Sequence, residues 1–350
     1  MNSNIDSNLK RNIVTSLLVL VVFNMIVYGG KITPTKWISP LSSHSNAFDA
    51  VKEKIRTREN TYSLSTFGSI TLPSDDDMAA YKSAHSYAVV DMENGQLIYS
   101  KQSPDKMPIA SLTKIMTAVV AMDLATPEDQ FSVSRHAADT IPTKIVMQPG
   151  EKYTLHELLY AMLLTSANDA AEVIKEGVNT KYQDDVFIRA MNEKAKFIGL
   201  KQTHFANPQG FDDPNNYSSA EDLAVLSYYA LTNYPLIRDI VKEDHYVLGA
   251  NQNHGEHYLN NWNGLIGVYP NVSGIKIGNT DSAGTTTAVV SERNGKKLLV
   301  VVLGTGNVLE RDLAAAELLD YGFEKTSGLQ AIKVTADQLR EKYATWKYYN

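Results

Sequence analysis

The sequence predicts an α+β fold: one antiparallel sheet built from both ends of a domain, with flanking helices and an inserted helical lobe. Three observations carry this. Strand-like runs at 86–92 and 96–100 precede a long helical stretch. β-rich runs at 272–277, 285–292 and 297–303 follow it. Asn94-Gly95 and Asn294-Gly295 sit between neighbouring runs, where Asn-Gly marks a hairpin turn.

The elements follow in order. Ahead of the domain, the apolar run 13–28 comes after Lys10 and Arg11, and Gly29 and Gly30 extend it toward the length of a membrane span, about 20 residues. It reads as a signal peptide or a signal-anchor helix, so residues 1–30 are expected to be a membrane anchor or signal segment. Lys31 and Lys36 on the far side match Lys10 and Arg11, so charge does not fix the orientation. Residues 31–83 carry Ser, Asn, Pro and Asp without a sustained period and read as a stalk, with a short charged helix at 51–58. The folded domain is expected over 84–325, with a tail over 326–350.

Inside the domain, a helix starts near Ser111. Thr154-Leu155-His156-Glu157 is a capping box that opens an amphipathic helix to about Leu164. Further helices begin near Asp169 and run over 184–198. Ser218-Ser219-Ala220-Glu221 caps another, with Leu223, Leu226, Tyr229 and Ala230 on one face. A helix over 309–321 closes the domain.

Composition narrows the function. Of 350 residues, 43% are apolar and 21% charged, which is ordinary for a globular protein. The net charge of -6 gives no sign of a nucleic-acid partner. The chain has no cysteine, so disulfides, thiolate catalysis and Cys-ligated metals are excluded.

The chemistry centres on Ala110-Ser111-Leu112-Thr113-Lys114-Ile115-Met116-Thr117, a Ser-x-x-Lys on a helix. Residues three apart share a helix face, with Cβ atoms roughly 5–6 Å apart, so Ser111 and Lys114 can meet. A serine hydroxyl needs a base beside it. A lysine serves as that base when burial or a second cation disfavours its charge. The apolar Ile115, Met116, Ala118, Val119 and Val120 suggest such a buried helix. Two further pieces follow. Ser166-Ala167-Asn168 lies in the break between two helices. Lys276-Ile277-Gly278 ends a strand and is followed by Asn279-Thr280. A strand-end lysine beside glycine presents a cation and lets a substrate backbone approach closely.

This ordered set resembles the Ser-x-x-Lys, Ser-x-Asn and Lys-Thr-Gly elements of the serine penicillin-binding proteins and β-lactamases. The resemblance is to the penicillin-binding D-alanyl-D-alanine carboxypeptidases, and it covers roughly residues 84–325. It also takes in Thr203-His204-Phe205-Ala206-Asn207-Pro208-Gln209-Gly210, Ala283-Gly284 and Val301-Val302-Leu303-Gly304. It implies a β-lactamase/transpeptidase-like fold and a serine-type carboxypeptidase. By the resemblance, Ser111 is the acylated nucleophile and Lys114 accepts its proton. Ser166 relays a proton to the leaving amine, and Asn168 holds Lys114 and the substrate amide. Lys276, Ile277, Gly278, Asn279 and Thr280 line the substrate, with Lys276 on its terminal carboxylate. Backbone N–H groups of Ser111 and Asn279 form the oxyanion hole. The implied partners are a peptidoglycan stem peptide ending in D-Ala-D-Ala, β-lactams as covalent inhibitors, and the membrane. No cofactor or metal is implied.

The chain departs from the family pattern in three ways. Ile277 stands where members have threonine, only about 25 residues follow Gly322 where many members carry a second β-rich domain, and the tail from Gln338 is too short and mixed to read as an amphipathic anchor. Ile277 motivates a second reading, a weak or inactive cell-wall-binding homologue; a DD-endopeptidase is a third. Glu256-His257-Tyr258-Leu259-Asn260 matches a Glu-x-x-Leu-Asn of class A β-lactamases but abuts Lys276 and reads as a loop. His254 and His257 lack a completing carboxylate set and read as polar loop residues. His204 and Asn207 read as turn-shaping.

Overall fold

The computed structural model describes residues 40–65, 72 and 79–346. The strands from the two ends of the domain meet in one sheet, as the hairpin signals require. Ser86–Asp91 (β1), Leu97–Lys101 (β2), Val272–Thr280 (β3), Gly284–Arg293 (β4) and Lys296–Thr305 (β5) pair antiparallel in the order β2-β1-β5-β4-β3. The β4–β5 turn closes on Arg293 opposite Lys296, with Asn294 (φ 50°) and Gly295 (φ 77°) both left-handed. That is the type I′ geometry an Asn-Gly pair favours.

The sheet is covered on both faces, which explains its unbroken apolar strands. Ala88, Val90, Leu299, Val301 and Leu303 face one core. Val89, Leu298, Val300 and Val302 face the other.

In chain order the helices longer than one turn among the described residues are Pro40–Ile55 (α1), Thr113–Leu124 (α2), Leu155–Leu164 (α3), Asn168–Tyr182 (α4), Phe187–Ile198 (α5), Ala220–Asn233 (α6), Pro235–Val241 (α7), Val308–Ser327 (α8) and Ala336–Ala344 (α9). Helices α2 to α7 form the inserted lobe over the first core. Helix α8 covers the second with Ala315, Leu318, Leu319 and Phe323. Both reciprocal bonds of the Thr154–Glu157 capping box are present, and Ser219 caps α6.

The expected stalk over 31–83 needs correcting from Ser45 onward. The unit containing the sheet begins at Ser45, and Phe48, Val51, Ile55 and Tyr62 are buried in the first core. A buried ion pair fastens this segment. Lys194 and Asp123, both fully buried, lie 2.8 Å apart. Lys194 also donates to the Ile55 carbonyl at 2.6 Å, and Arg58 donates to Asp123 at 2.6 Å. The reading missed this because a segment of mixed composition shows its apolar stripe only against its partner.

The tail also folds back. Thr335 and Gln338 form a capping box on α9, Leu339 is buried, and Tyr343 donates to Asp312 at 2.8 Å. The apolar run 13–28 lies outside the described residues. Among the described residues no helix is long and apolar enough to cross a membrane.

Candidate active site

A 3₁₀ turn, Ala110–Leu112, leads into α2 and sets Ser111 one turn ahead of Lys114. The Lys114 side chain is fully buried. Its Nζ lies 2.8 Å from Ser111 Oγ, 2.8 Å from Asn168 Oδ1 and 2.6 Å from the Gln209 carbonyl oxygen. Burial, and next the positive charge of Lys276, hold Lys114 well below the ordinary lysine value. A neutral amine has two N–H donors and one lone pair. The amide oxygen of Asn168 and the Gln209 carbonyl can only accept, so they take the two donors. The lone pair is then left for the Ser111 hydroxyl proton, and the arrangement suits a general base.

The Ser166-Ala167-Asn168 segment is held tightly. Ser166 is a non-glycine residue at φ 61°, in the left-handed region that costs energy unless the surroundings impose it. The surroundings do so through Asn168 and Asp169. The Asn168 backbone N–H donates to the Thr143 carbonyl at 2.7 Å, and its side-chain amide donates to the Ile141 carbonyl at 3.1 Å. The buried Asp169 carboxylate accepts from the backbone N–H groups of Ile145, Met147 and Ala170. The Ser166 hydroxyl has no hydrogen-bond partner among the described residues.

On the other side, β3 is a sheet edge and brings Lys276 to Gly278 against Ser111. Glycine is required at 278: a Cβ there would sit 2.6 Å from Thr286 Oγ1 and 2.8 Å from the Ser111 backbone nitrogen. Lys276 is buried, and its ammonium donates to the Ile277 carbonyl at 3.1 Å. Among the described residues no carboxylate pairs with it. Burial, with a contribution from the Arg311 charge, lowers its pKa to about 7. It is therefore a buried cation site without an anion.

The Ile277 side chain is 8% exposed. The nearby threonines do not offer the hydroxyl that Ile277 lacks. Thr280 donates to Asp212 at 2.6 Å, Thr286 to the Ile109 carbonyl at 3.3 Å and Thr287 to the Lys276 carbonyl at 3.4 Å. Thr285 bonds to the Asn307 carbonyl at 2.9 Å and to Thr305. Asn279 is exposed on the same edge strand, opposite Thr285.

Two contributors to the site escaped the sequence reading. The Gln209 carbonyl is a backbone group, and no residue-type pattern announces it. Asp212 binds Thr280 and the Ser282 backbone N–H, tying the 210s loop to the β3–β4 turn. The turn-shaping reading of Asn207 holds, since its side chain accepts from the N–H groups of Gly210 and Phe211. Gly210 (φ 91°) is needed there, because a Cβ would meet the Ala110 carbonyl oxygen at 1.9 Å. His204 bonds to the Asn215 carbonyl. The 257–260 stretch pairs as a ribbon with 245–248, and His254 stacks on Tyr153. Ligand-type atoms of His136, Glu172 and Glu176 lie within 4.8 Å of one another. A metal there would have to displace the Lys175 ammonium, already 2.5 Å from Glu172.

Comparison with known proteins agrees with this geometry. The family model described as "D-alanyl-D-alanine carboxypeptidase" matches residues 74–307. The D-alanyl-D-alanine carboxypeptidase DacF of Bacillus subtilis is 30% identical over 276 residues, covering 75% of this chain and 68% of its own. A variant of the Streptomyces K15 DD-transpeptidase superposes with a TM-score of 0.65 at 26% identity, covering 69% of this chain and 98% of that one. The Listeria monocytogenes penicillin-binding protein D2, in its ampicillin-bound form, gives 0.60 at 29% identity, covering 69% and 97%. With the Ser-Lys pair, the Ser-x-Asn break and the lysine edge strand converging on one cleft, the chain belongs to the D-alanyl-D-alanine carboxypeptidase family of serine peptidases.

Proposed function

We propose that the protein removes the terminal D-alanine from peptidoglycan stem peptides ending in D-Ala-D-Ala, through an acyl-enzyme on Ser111. The observation that carries the reading is the buried Lys114 amine, 2.8 Å from Ser111 Oγ with both of its donors engaged elsewhere. The terminal carboxylate of the peptide binds the unpaired cation of Lys276. Ser111 Oγ attacks the carbonyl of the penultimate D-alanine while its proton passes to Lys114. The oxyanion is held by the N–H groups of Ser111 and Asn279, each such donor being worth roughly 10²–10³ in rate. The C–N bond then breaks, and the departing D-alanine amine takes a proton through the Ser166 hydroxyl. Water hydrolyses the ester and restores Ser111. β-Lactams, whose carboxylate and amide resemble the dipeptide end, acylate the same oxygen.

The apolar run 13–28 behind Lys10 and Arg11, together with a cell-wall substrate, supports attachment by residues 1–30 with the domain outside the cytoplasm. A reporter fused after Asn350 that is active only in the cytoplasm overturns this topology. The catalytic reading is tested with Ser111→Ala. Intact mass after exposure to a penicillin should show one adduct on the wild type and none on the variant, and D-alanine release should stop with it. Substantial turnover by the variant refutes the assignment.

A further inference from the structure

Helix α4 reaches Lys114 twice. Asn168, in its first turn, accepts directly from the amine. Glu172 lies four residues on, on the same face. Its Oε2 accepts from the Gln209 side-chain amide at 2.5 Å, and the Gln209 carbonyl accepts from Lys114 at 2.6 Å. Glu172 is 2% exposed and Gln209 is 4% exposed. The other carboxylate oxygen, Oε1, faces Lys175 at 2.5 Å and His136 at 3.2 Å. The two oxygens thus do separate work: one anchors Gln209, the other faces the Lys175 ammonium. Buried carboxylates are costly without such partners, so a glutamate on this inner face calls for a reason.

We propose that Glu172 is a positioning residue for acylation. By fixing the Gln209 side chain, it fixes the carbonyl that takes one of the two Lys114 donors, which leaves the lone pair directed at Ser111. This rests on the reading of Lys114 as the base. The remaining supports of the 207–210 turn act on either side of Gln209: Asn207 bonds inside the turn, and Thr117 donates to the Pro208 carbonyl at 2.8 Å. Without Glu172, the Gln209 amide loses its partner inside a cavity of about 440 Å³ that both side chains line with His136 and Lys175. It then turns toward water and draws its carbonyl off the amine. Displacement of a catalytic group by about 1 Å can cost on the order of 10²-fold.

The test uses the full-length chain and a fluorescent penicillin, whose concentration dependence separates the noncovalent dissociation constant from the acylation rate constant. Glu172→Ala should lower the acylation rate constant about ten- to hundredfold while changing the dissociation constant less than about twofold. Gln209→Ala should show the same loss, and the double variant should be no worse than either single one, because all three remove one bond. Glu172→Gln keeps an acceptor for Gln209 while giving up the charge, and should stay within about threefold of wild type. If Glu172→Ala does not fold, Gln209→Ala and Glu172→Gln decide alone. Wild-type acylation rates in Gln209→Ala, additive losses in the double variant, or a Glu172→Gln as slow as the alanine variant would each overturn the proposal. Absence of labelling in the wild type would instead fault the reading of Ser111 and Lys114.

Discussion

Ile277→Thr tests how the site captures a carboxylate. The substitution keeps the β-branch, deletes the terminal methyl of isoleucine and puts a hydroxyl where its γ-methylene was. Lys276 has no carboxylate partner among the described residues, and the hydroxyls of Thr280, Thr285, Thr286 and Thr287 are all engaged. A ligand carboxylate therefore meets one cation and no free threonine donor on this strand. An added hydrogen bond to a charged group is worth roughly 1.5–3 kcal/mol, or about ten- to hundredfold in the second-order rate of penicillin acylation. The stability cost is small. Ile277 lies outside both cores, and losing two buried carbons at about 0.8 kcal/mol each costs about 1.6 kcal/mol, a melting shift of a few degrees. The assay is the labelling rate at increasing penicillin concentration, with D-alanine release from a D-Ala-D-Ala peptide measured in parallel. Ile277→Val serves as the control, since it trims bulk without adding a donor. An unchanged rate in Ile277→Thr, or an equal gain in Ile277→Val, would refute the hydrogen-bond argument; the second result would point to bulk alone.

In the proposed mechanism acylation needs Lys114 uncharged and Lys276 charged, so kcat/KM should be bell-shaped in pH. It rises through the depressed Lys114 value and falls above about 7, where free Lys276 loses its proton; a maximum above about pH 9 contradicts this assignment. Lys276 also makes a signed stability prediction. Its folded value lies below its unfolded one, so the unfolded chain binds more protons between about pH 7 and 10, and stability from this group rises with pH across that window. Lys276→Met should melt higher than wild type below pH 7, with the gap closing toward pH 10, and should lose penicillin capture throughout. Asp123→Ala strands Lys194 as a buried cation and should cost about 3–5 kcal/mol, a melting loss of order 10 °C, which Lys194→Met in the same chain should partly restore. Gly278→Ala drives a Cβ to 2.8 Å from the Ser111 nitrogen and should slow acylation at least about tenfold by moving the nucleophile; a wild-type rate would mean that the edge strand yields freely.

Local chemistry was enough to show much of this protein. The Thr154–Glu157 box and the Ser219 cap bond their own backbones, and the Asn294-Gly295 turn depends on the left-handed freedom of two residues. Ser111 and Lys114 are one helical turn apart, so their meeting follows from helix geometry alone. Signals of this kind act over a few residues and survive in a linear string. Contacts between distant segments do not. That the Lys114 pKa is depressed depends on burial by a whole lobe and on a lysine brought from the far end of the chain by the sheet. The Gln209 carbonyl, the Glu172 anchor behind it and the engagement of every threonine near Ile277 exist only once loops, helix and edge strand converge. The burial of 48–62 likewise waits on a partner surface, since an apolar stripe broken by charges looks like a stalk until Asp123, Lys194 and the first core close over it. Sequence carries the periodicity and turn chemistry of single elements. Protonation states, backbone acceptors and the satisfaction of buried polar groups are properties of surroundings, and only the tertiary structure supplies those.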